Sequence, residues 1–222
     1  MNTIASPMSD NNFPSDLNLR PDLQVINSWV SEKSSVLDLG CGNGDLLYYL
    51  TYSKKITGYG LESDARYIQA CVEKGVQVIE QDIDEGLNNF LNQSFDVVIM
   101  TQALQEIHEP HRILREMLRV GREVIVTFPN FGYWRNRLHL FLKGRMPISK
   151  TLPHHWYDTP NIHLCTFKDF EDLCLSSGYR ILARTVVDSE YSDNAMLRVF
   201  PNVLGEIAIY RITGDHAPVE SL

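Results

Sequence analysis

Residues 36–44 read Val-Leu-Asp-Leu-Gly-Cys-Gly-Asn-Gly, and no other run limits so strongly what this chain can build. An apolar strand carrying one acid, Asp38, runs into three glycines in alternation and then into a helical pattern. Glycine lets the backbone turn tightly there and lets a ligand approach the main chain. The unpaired N–H groups at the start of the following helix favour an electronegative group. A dinucleotide fingerprint would need a further glycine where Asp45 stands, so a nicotinamide site fits poorly. A purely structural turn is the other alternative.

The pattern around this turn alternates strand and helix. A leading helix starts at Pro21, with Leu23, Ile26 and Val30 at helical spacing. Strands are expected at Ser35–Leu39, Ile56–Glu62, Val76–Glu80, Phe95–Thr101 and Glu123–Phe128. Helices are expected between them at Asp45–Tyr52, Asp64–Lys74, Glu85–Leu91 and Arg112–Arg119. This order predicts a single α/β domain of Rossmann-like type over residues 20–213, because parallel strands need crossover helices on the faces of their sheet. The continuously apolar Val97–Met100 suits a strand buried on both sides. The rhythm breaks after Phe128. It resumes with a helix at Phe167–Ser177, ended by Gly178, and strands near Arg180–Val187 and Ile207–Ile212, giving seven strands. Residues 1–19 and 214–222 read as flexible tails.

Composition narrows the function. A net charge of −8 disfavours nonspecific binding to nucleic acid or anionic lipid. No apolar run approaches the roughly 20 residues of a membrane helix, and the N-terminus lacks the pattern of a secretion signal. The expectation is a cytoplasmic protein with no membrane or nucleic-acid partner. Cys41, Cys71, Cys165 and Cys174 are widely spaced and form no C-x-x-C pair, so buried free thiols are expected and no metal site.

Two acids fall where a nucleoside needs them. Glu62 ends the second strand about twenty residues past the glycines, placed to accept hydrogen bonds from both ribose hydroxyls. Asp82 follows the third strand in the same crevice, placed to accept from an adenine amino group while Ile83 packs on the ring.

The stretches VLDLGCGNG, GYGLE, QDI and FDVVIM together resemble the class I S-adenosylmethionine (SAM) methyltransferases. That resemblance implies a pocket for SAM or S-adenosylhomocysteine formed by Asp38, Gly40, Cys41, Gly42, Asn43, Gly44, Glu62, Asp82 and Ile83. Thr101 and Gln102 would border the methionine end and any acceptor. A narrower likeness joins Leu19-Arg20-Pro21-Asp22-Leu23, TQALQEI, the run from Arg115 to Leu140, GRMP, and the run from His154 to Cys174. Over residues 19–188 the chain resembles the MetW family of methionine-biosynthesis proteins. Asn43 departs from the acid expected at its position, and Ser63 from an apolar residue. The likeness implies partnership with a homoserine O-acyltransferase and implies no methyl acceptor.

A methyl donor that is already activated imposes no obligatory catalytic signature, and the sequence shows no N-P-P-Y-like tetrad and no Cys placed as an obvious nucleophile. His108 and His111 are candidate bases, or surface residues opening a helix near Pro110. The alternative function is methylation of an unidentified small molecule. Residues 129–165 form a family-specific insertion. From Val124 to Tyr157 there is no Asp or Glu, while Trp134, Arg135, Arg137, Trp156 and Tyr157 are of the types enriched at binding hot spots. This segment is either a partner surface or a lid over the pocket.

Overall fold

The computed structural model describes residues 20–187 and 200–214. The tail expected at 1–19 lies outside them, as does all but Gly214 of the tail expected at 214–222. Seven strands form one sheet: β1 Ser35–Leu39, β2 Thr57–Glu62, β3 Val78–Glu80, β4 Phe95–Thr101, β5 Gly121–Pro129, β6 Arg180–Val187 and β7 Ile207–Thr213. Their order is β3-β2-β1-β4-β5-β7-β6. The first five run parallel, β7 lies antiparallel to β5, and β6 antiparallel to β7. The expected seven-stranded, mostly parallel sheet is present.

From β1 the chain builds outward through β2 and β3, then returns to place β4 on the other side of β1. Helices leaving β1 and β4 therefore depart in opposite directions and open a crevice above the carboxyl ends of those strands. Open α/β sheets bind their ligands at such a reversal.

Side-chain alternation along the strands supplies both cores. Val36, Val97 and Ile99 face one layer, built from Leu23 and Ile26 of α1 (Pro21–Trp29), Leu46, Leu47 and Leu50 of α2 (Asp45–Lys54) and Cys71 of α3 (Ala65–Glu73). Leu37, Leu39, Val98 and Met100 face the other layer. There they meet Ile113, Leu114 and Met117 of α4 (Pro110–Val120) and Phe167 and Phe170 of α6 (Phe167–Ser176). With both faces covered, the central strands are apolar at successive positions. Phe128, Phe170 and Tyr210 close the second core, with ring centroids 4.6 Å apart for Phe170–Tyr210 and 5.1 Å for Phe128–Phe170.

Helix ends follow their caps. Asp64 accepts from the Arg66 N–H before α3, and Thr166 and Asp169 form a reciprocal capping box on α6. The helix expected at Glu85–Leu91 is absent. A 3-10 turn at Ile83–Glu85 stands there, stopped by Gly86 at φ +88°. Side chains replace the missing helical partners: Gln81 Nε2 donates to the Gly86 carbonyl, and the Arg119 guanidinium donates to the carbonyls of Leu87 (2.8 Å) and Phe90 (2.9 Å). With its carbonyls satisfied from outside, the segment has no need of helix. β5 extends to Pro129, and no strand follows before residue 165, but Trp134–Lys143 forms α5, a helix that the sequence pattern does not predict. A short α7 (Pro201–Leu204) precedes β7.

Candidate functional site

Above the carboxyl ends of β1, β2, β3 and β4 lies a cleft of about 630 Å³. Asp38, Gly40, Cys41, Gly42, Asn43, Glu62, Asp82, Ile83, Thr101 and Gln102 all line it. Ten of the eleven residues expected to gather are therefore brought together. Gly44 stands apart from the lining; it caps α2 at φ +76°, and a Cβ there would press within 2.9 Å of Cys71 Sγ.

The glycine turn has the geometry its spacing demands. Gly40, Gly42 and Gly44 all take positive φ (+68°, +54° and +76°), a backbone region costly for other L-residues. The N–H groups of Gly40 and Cys41 both donate to the Leu61 carbonyl, at 2.9 and 3.0 Å, which fastens the turn to the end of β2. A Cβ on Gly42 would meet no protein atom within 4 Å, so protein packing does not explain the glycine there. Gly60 has a separate reason: a Cβ at that position would run into Cys41 Sγ.

Glu62 is held by three main-chain donors. Its Oε2 accepts from the Gly42 N–H at 2.9 Å, and its Oε1 accepts from the N–H groups of Ser63 (2.9 Å) and Asp64 (3.0 Å). Asp82 caps the 3-10 turn through its Oδ1, which accepts from the Asp84 N–H at 2.9 Å.

Asp38 is the unusual group. It is 1% exposed, and its Oδ1 has no hydrogen-bond partner. Burial pushes its pKa up to about 7; the nearby Arg20 charge pulls it back, and Glu62 adds to the rise. An unpaired buried carboxylate oxygen costs free energy until a donor or cation reaches it. Six carboxylate side chains line the cleft against one base, Arg20. Such a lining attracts cations and repels a pyrophosphate, which argues against a dinucleotide.

Several lining residues were not among those expected to gather. Arg20 and Leu23 arrive with α1, Tyr67 with α3, and Glu106 and Ile107 from the loop after β4. Arg20 and Leu23 belong to a motif visible in the sequence, but nothing in it pointed to the cleft. Gln102, at φ +53°, is held by its N–H to the Thr127 carbonyl (2.9 Å) and to Thr127 Oγ1 (3.0 Å). His108 is exposed and is not part of the lining; its Nδ1 lies 2.6 Å from Asp84 Oδ2, and that contact raises its pKa. His111 sits in the first turn of α4.

No residue of the acid-free segment lines the cleft. Arg135 lies 5.5 Å from the ring centroid of the half-exposed Trp134. Arg137 is exposed, and its guanidinium donates to the carbonyls of Gly132 and Asn202. Trp156 and Tyr157 are exposed, at 74% and 68%. Among the described residues, no helix is long and apolar enough to cross a membrane.

The model of the family "methionine biosynthesis protein MetW" matches residues 20–212. The chain is 37% identical, over 169 residues, to the bifunctional methionine biosynthesis protein MetXA/MetW of Rhodopirellula baltica. That match covers 72% of this chain and 27% of the relative, so the chain spans about a quarter of that protein's length. Among solved structures, a SAM-dependent methyltransferase of Thermotoga maritima, possibly a histamine N-methyltransferase, superposes with a TM-score of 0.60 at 19% identity, over 86% of each chain. A putative SAM-dependent methyltransferase of Listeria monocytogenes gives 0.62 at 15% identity, over 87% of this chain and 99% of that one. The [4+2]-cyclase SpnF gives 0.61 at 18% identity, over 86% and 80%. At these identities the likeness is one of fold, and it extends to a protein named for another reaction.

Proposed function

The chain belongs to the MetW family of methionine biosynthesis proteins, and from that premise we propose that it is a SAM-binding domain that partners and supports a homoserine O-acyltransferase. The observation that carries the ligand is the cleft itself. Glu62, presented by three N–H donors, suits the hydroxyls of a ribose, and Asp82 with Ile83 in the same lining suits an adenine. The unpaired Oδ1 of Asp38 suits a cationic group such as the ligand's ammonium, and the acid-rich lining suits a sulfonium. When bound, SAM would supply a methyl group bearing positive charge at its sulfur. The protein's own residues bind and orient the nucleoside.

Support for the partner comes from the Rhodopirellula relative, whose name joins MetXA and MetW in one chain. We read MetXA there as the acyltransferase. The surface assigned to that partner is the acid-free segment. On α5, Leu138, Phe141 and Leu142 share one face by their spacing and are 44%, 85% and 68% exposed. Trp134, Arg135, Trp156 and Tyr157 add aromatic area and positive charge. Arg137 belongs to this set by sequence, although its guanidinium is engaged internally. In this reading SAM, as the methionine-derived end product, reports sufficiency to the acyltransferase, and the cytoplasm is where both proteins meet.

The test is affinity purification from the protein's own cells, followed by acyl-transfer assays with and without SAM. The reading predicts that a homoserine O-acyltransferase is captured and that its activity depends on this chain. Failure to capture one, together with steady release of S-adenosylhomocysteine that Gly42→Val abolishes, would instead mark a methyltransferase.

A further inference from the structure

The loop after β4 is shared between the cleft and the insertion. Gln102, Ala103, Glu106 and Ile107 line the cleft. Gln105, between them, is buried and stays out of that lining. Its carbonyl accepts from the N–H groups of Ile162 (2.8 Å) and His163 (3.0 Å), and His163 Nε2 lies 3.3 Å from the His108 carbonyl oxygen. The insertion is thus fastened to the loop shortly after Trp156 and Tyr157. It is closed at its base as well, where the Phe131 N–H donates to the Cys165 carbonyl at 2.9 Å. His154 brings the insertion to the loop again. Burial raises the pKa of Glu106, and the charge of His154 opposes that rise.

The loop holds its conformation at some cost. Gln102 takes a left-handed backbone at φ +53°, unusual for a residue other than glycine, and its Nε2 donates to Oδ2 of the buried Asp22 at 3.1 Å. Gln105 Nε2 donates to the Gln102 carbonyl at 2.6 Å, while Gln105 Oε1 is buried without a partner. Strain and an unpaired buried oxygen persist only where surrounding contacts fix them. Here those contacts lie on two sides, so a ligand that favours one arrangement of the loop biases what the other side can hold.

We infer that the loop 102–108 couples the two binding sites of the proposed function: ligand in the cleft sets the loop, and Gln105 passes that setting to the insertion that carries Trp156 and Tyr157. The inference rests on the reading above and supplies the physical link between its ligand and its partner. Gln105 acts here as a positioning residue and touches neither. By linkage, each of the two changes the affinity for the other by the same factor.

Titration of S-adenosylhomocysteine into the chain alone, and into its complex with the acyltransferase, tests it. The parent is expected to show affinities that differ at least about fivefold between the two. Gln105→Leu keeps the volume and removes the bond to Gln102. It should hold each separate affinity within about twofold of the parent while the ratio falls toward one. His163→Ala, at an exposed side chain, should lower the ratio in smaller measure, and it decides the matter alone if Gln105→Leu melts at a lower temperature than the assay allows. A parent ratio near one overturns the inference, as does a parent ratio kept in both variants. A variant that loses a separate affinity along with the ratio also overturns it, since the loop would then belong to one site and not join two. In each of those cases the SAM-binding and partner readings survive. A parent chain that binds no S-adenosylhomocysteine, or captures no acyltransferase, overturns that reading and this inference with it.

Discussion

Glu62 reaches back from the end of β2 to accept a hydrogen bond from the Gly42 N–H at 2.9 Å. The acid proposed for the ribose and the glycine proposed to pass the ligand are thus parts of one unit. Glu62→Ala is expected to weaken S-adenosylhomocysteine binding by about 1–3 kcal/mol, since the ribose hydroxyls would be desolvated without acceptors. Gly42→Val should abolish binding, because the side chain would project into ligand space from a backbone at φ +54°. Titration calorimetry checks both, with thermal melts to confirm folding.

Asp38 should make binding depend on pH. Its carboxyl is held at a pKa of about 7 by burial, and only the ionised form suits an ammonium. Affinity for S-adenosylhomocysteine should therefore rise as pH increases through 7, by about tenfold between pH 6 and pH 8. Asp38→Asn should flatten that profile, which separates Asp38 from the exposed His108. Stability of the unliganded protein should move the other way. The folded pKa lies above the unfolded one, so this contribution is present below about pH 4 and is lost as pH rises to 7.

Arg119 holds the irregular segment after β3 in place. Its guanidinium donates to the carbonyls of Leu87 and Phe90 and to Asn92 Oδ1, and it pairs with Glu116. Arg119→Ala leaves those carbonyls without their side-chain donor and should destabilise the protein by about 2 kcal/mol. Denaturant unfolding reads this directly, and ligand selectivity should not change.

The exposed face of α5 separates the two proposed activities. Phe141→Ser combined with Arg135→Glu should weaken capture of the acyltransferase by about 2 kcal/mol or more, if these side chains form a hot spot. The same variant should bind S-adenosylhomocysteine like the parent, since neither residue lines the cleft. Association should also slow as salt rises, through screening of the basic side chains. Unchanged capture and salt dependence would remove this surface from the account.

Much of this architecture was legible in the chain because its signals are local. Three alternating glycines after an apolar strand require a left-handed turn, and alternating periods require a parallel sheet; both are present. The positions of Glu62 and Asp82 at consecutive strand ends followed from the same periodicity. What could not be read depends on contacts distant in sequence. The stretch 85–91 has helical character, yet Gln81 and Arg119 satisfy its carbonyls from outside, and no window of residues displays that. Arg20 reaches the cleft through Asp22 and Gln102, eighty residues apart, which the motif alone does not reveal. Helix α5 was hidden by a composition of Trp, Arg, His and Phe on a helix whose only buried residue is Asn136. Without an apolar face turned to the core, its sequence carries no core-facing stripe.

The most direct test of the central claim is calorimetric titration of the purified chain with S-adenosylhomocysteine, repeated on Gly42→Val. The cleft predicts saturable, one-site heat for the parent protein and none for a folded Gly42→Val. Absence of heat from the folded parent at millimolar ligand, or equal binding by the variant, would contradict the assignment of this cleft to an adenosyl amino acid.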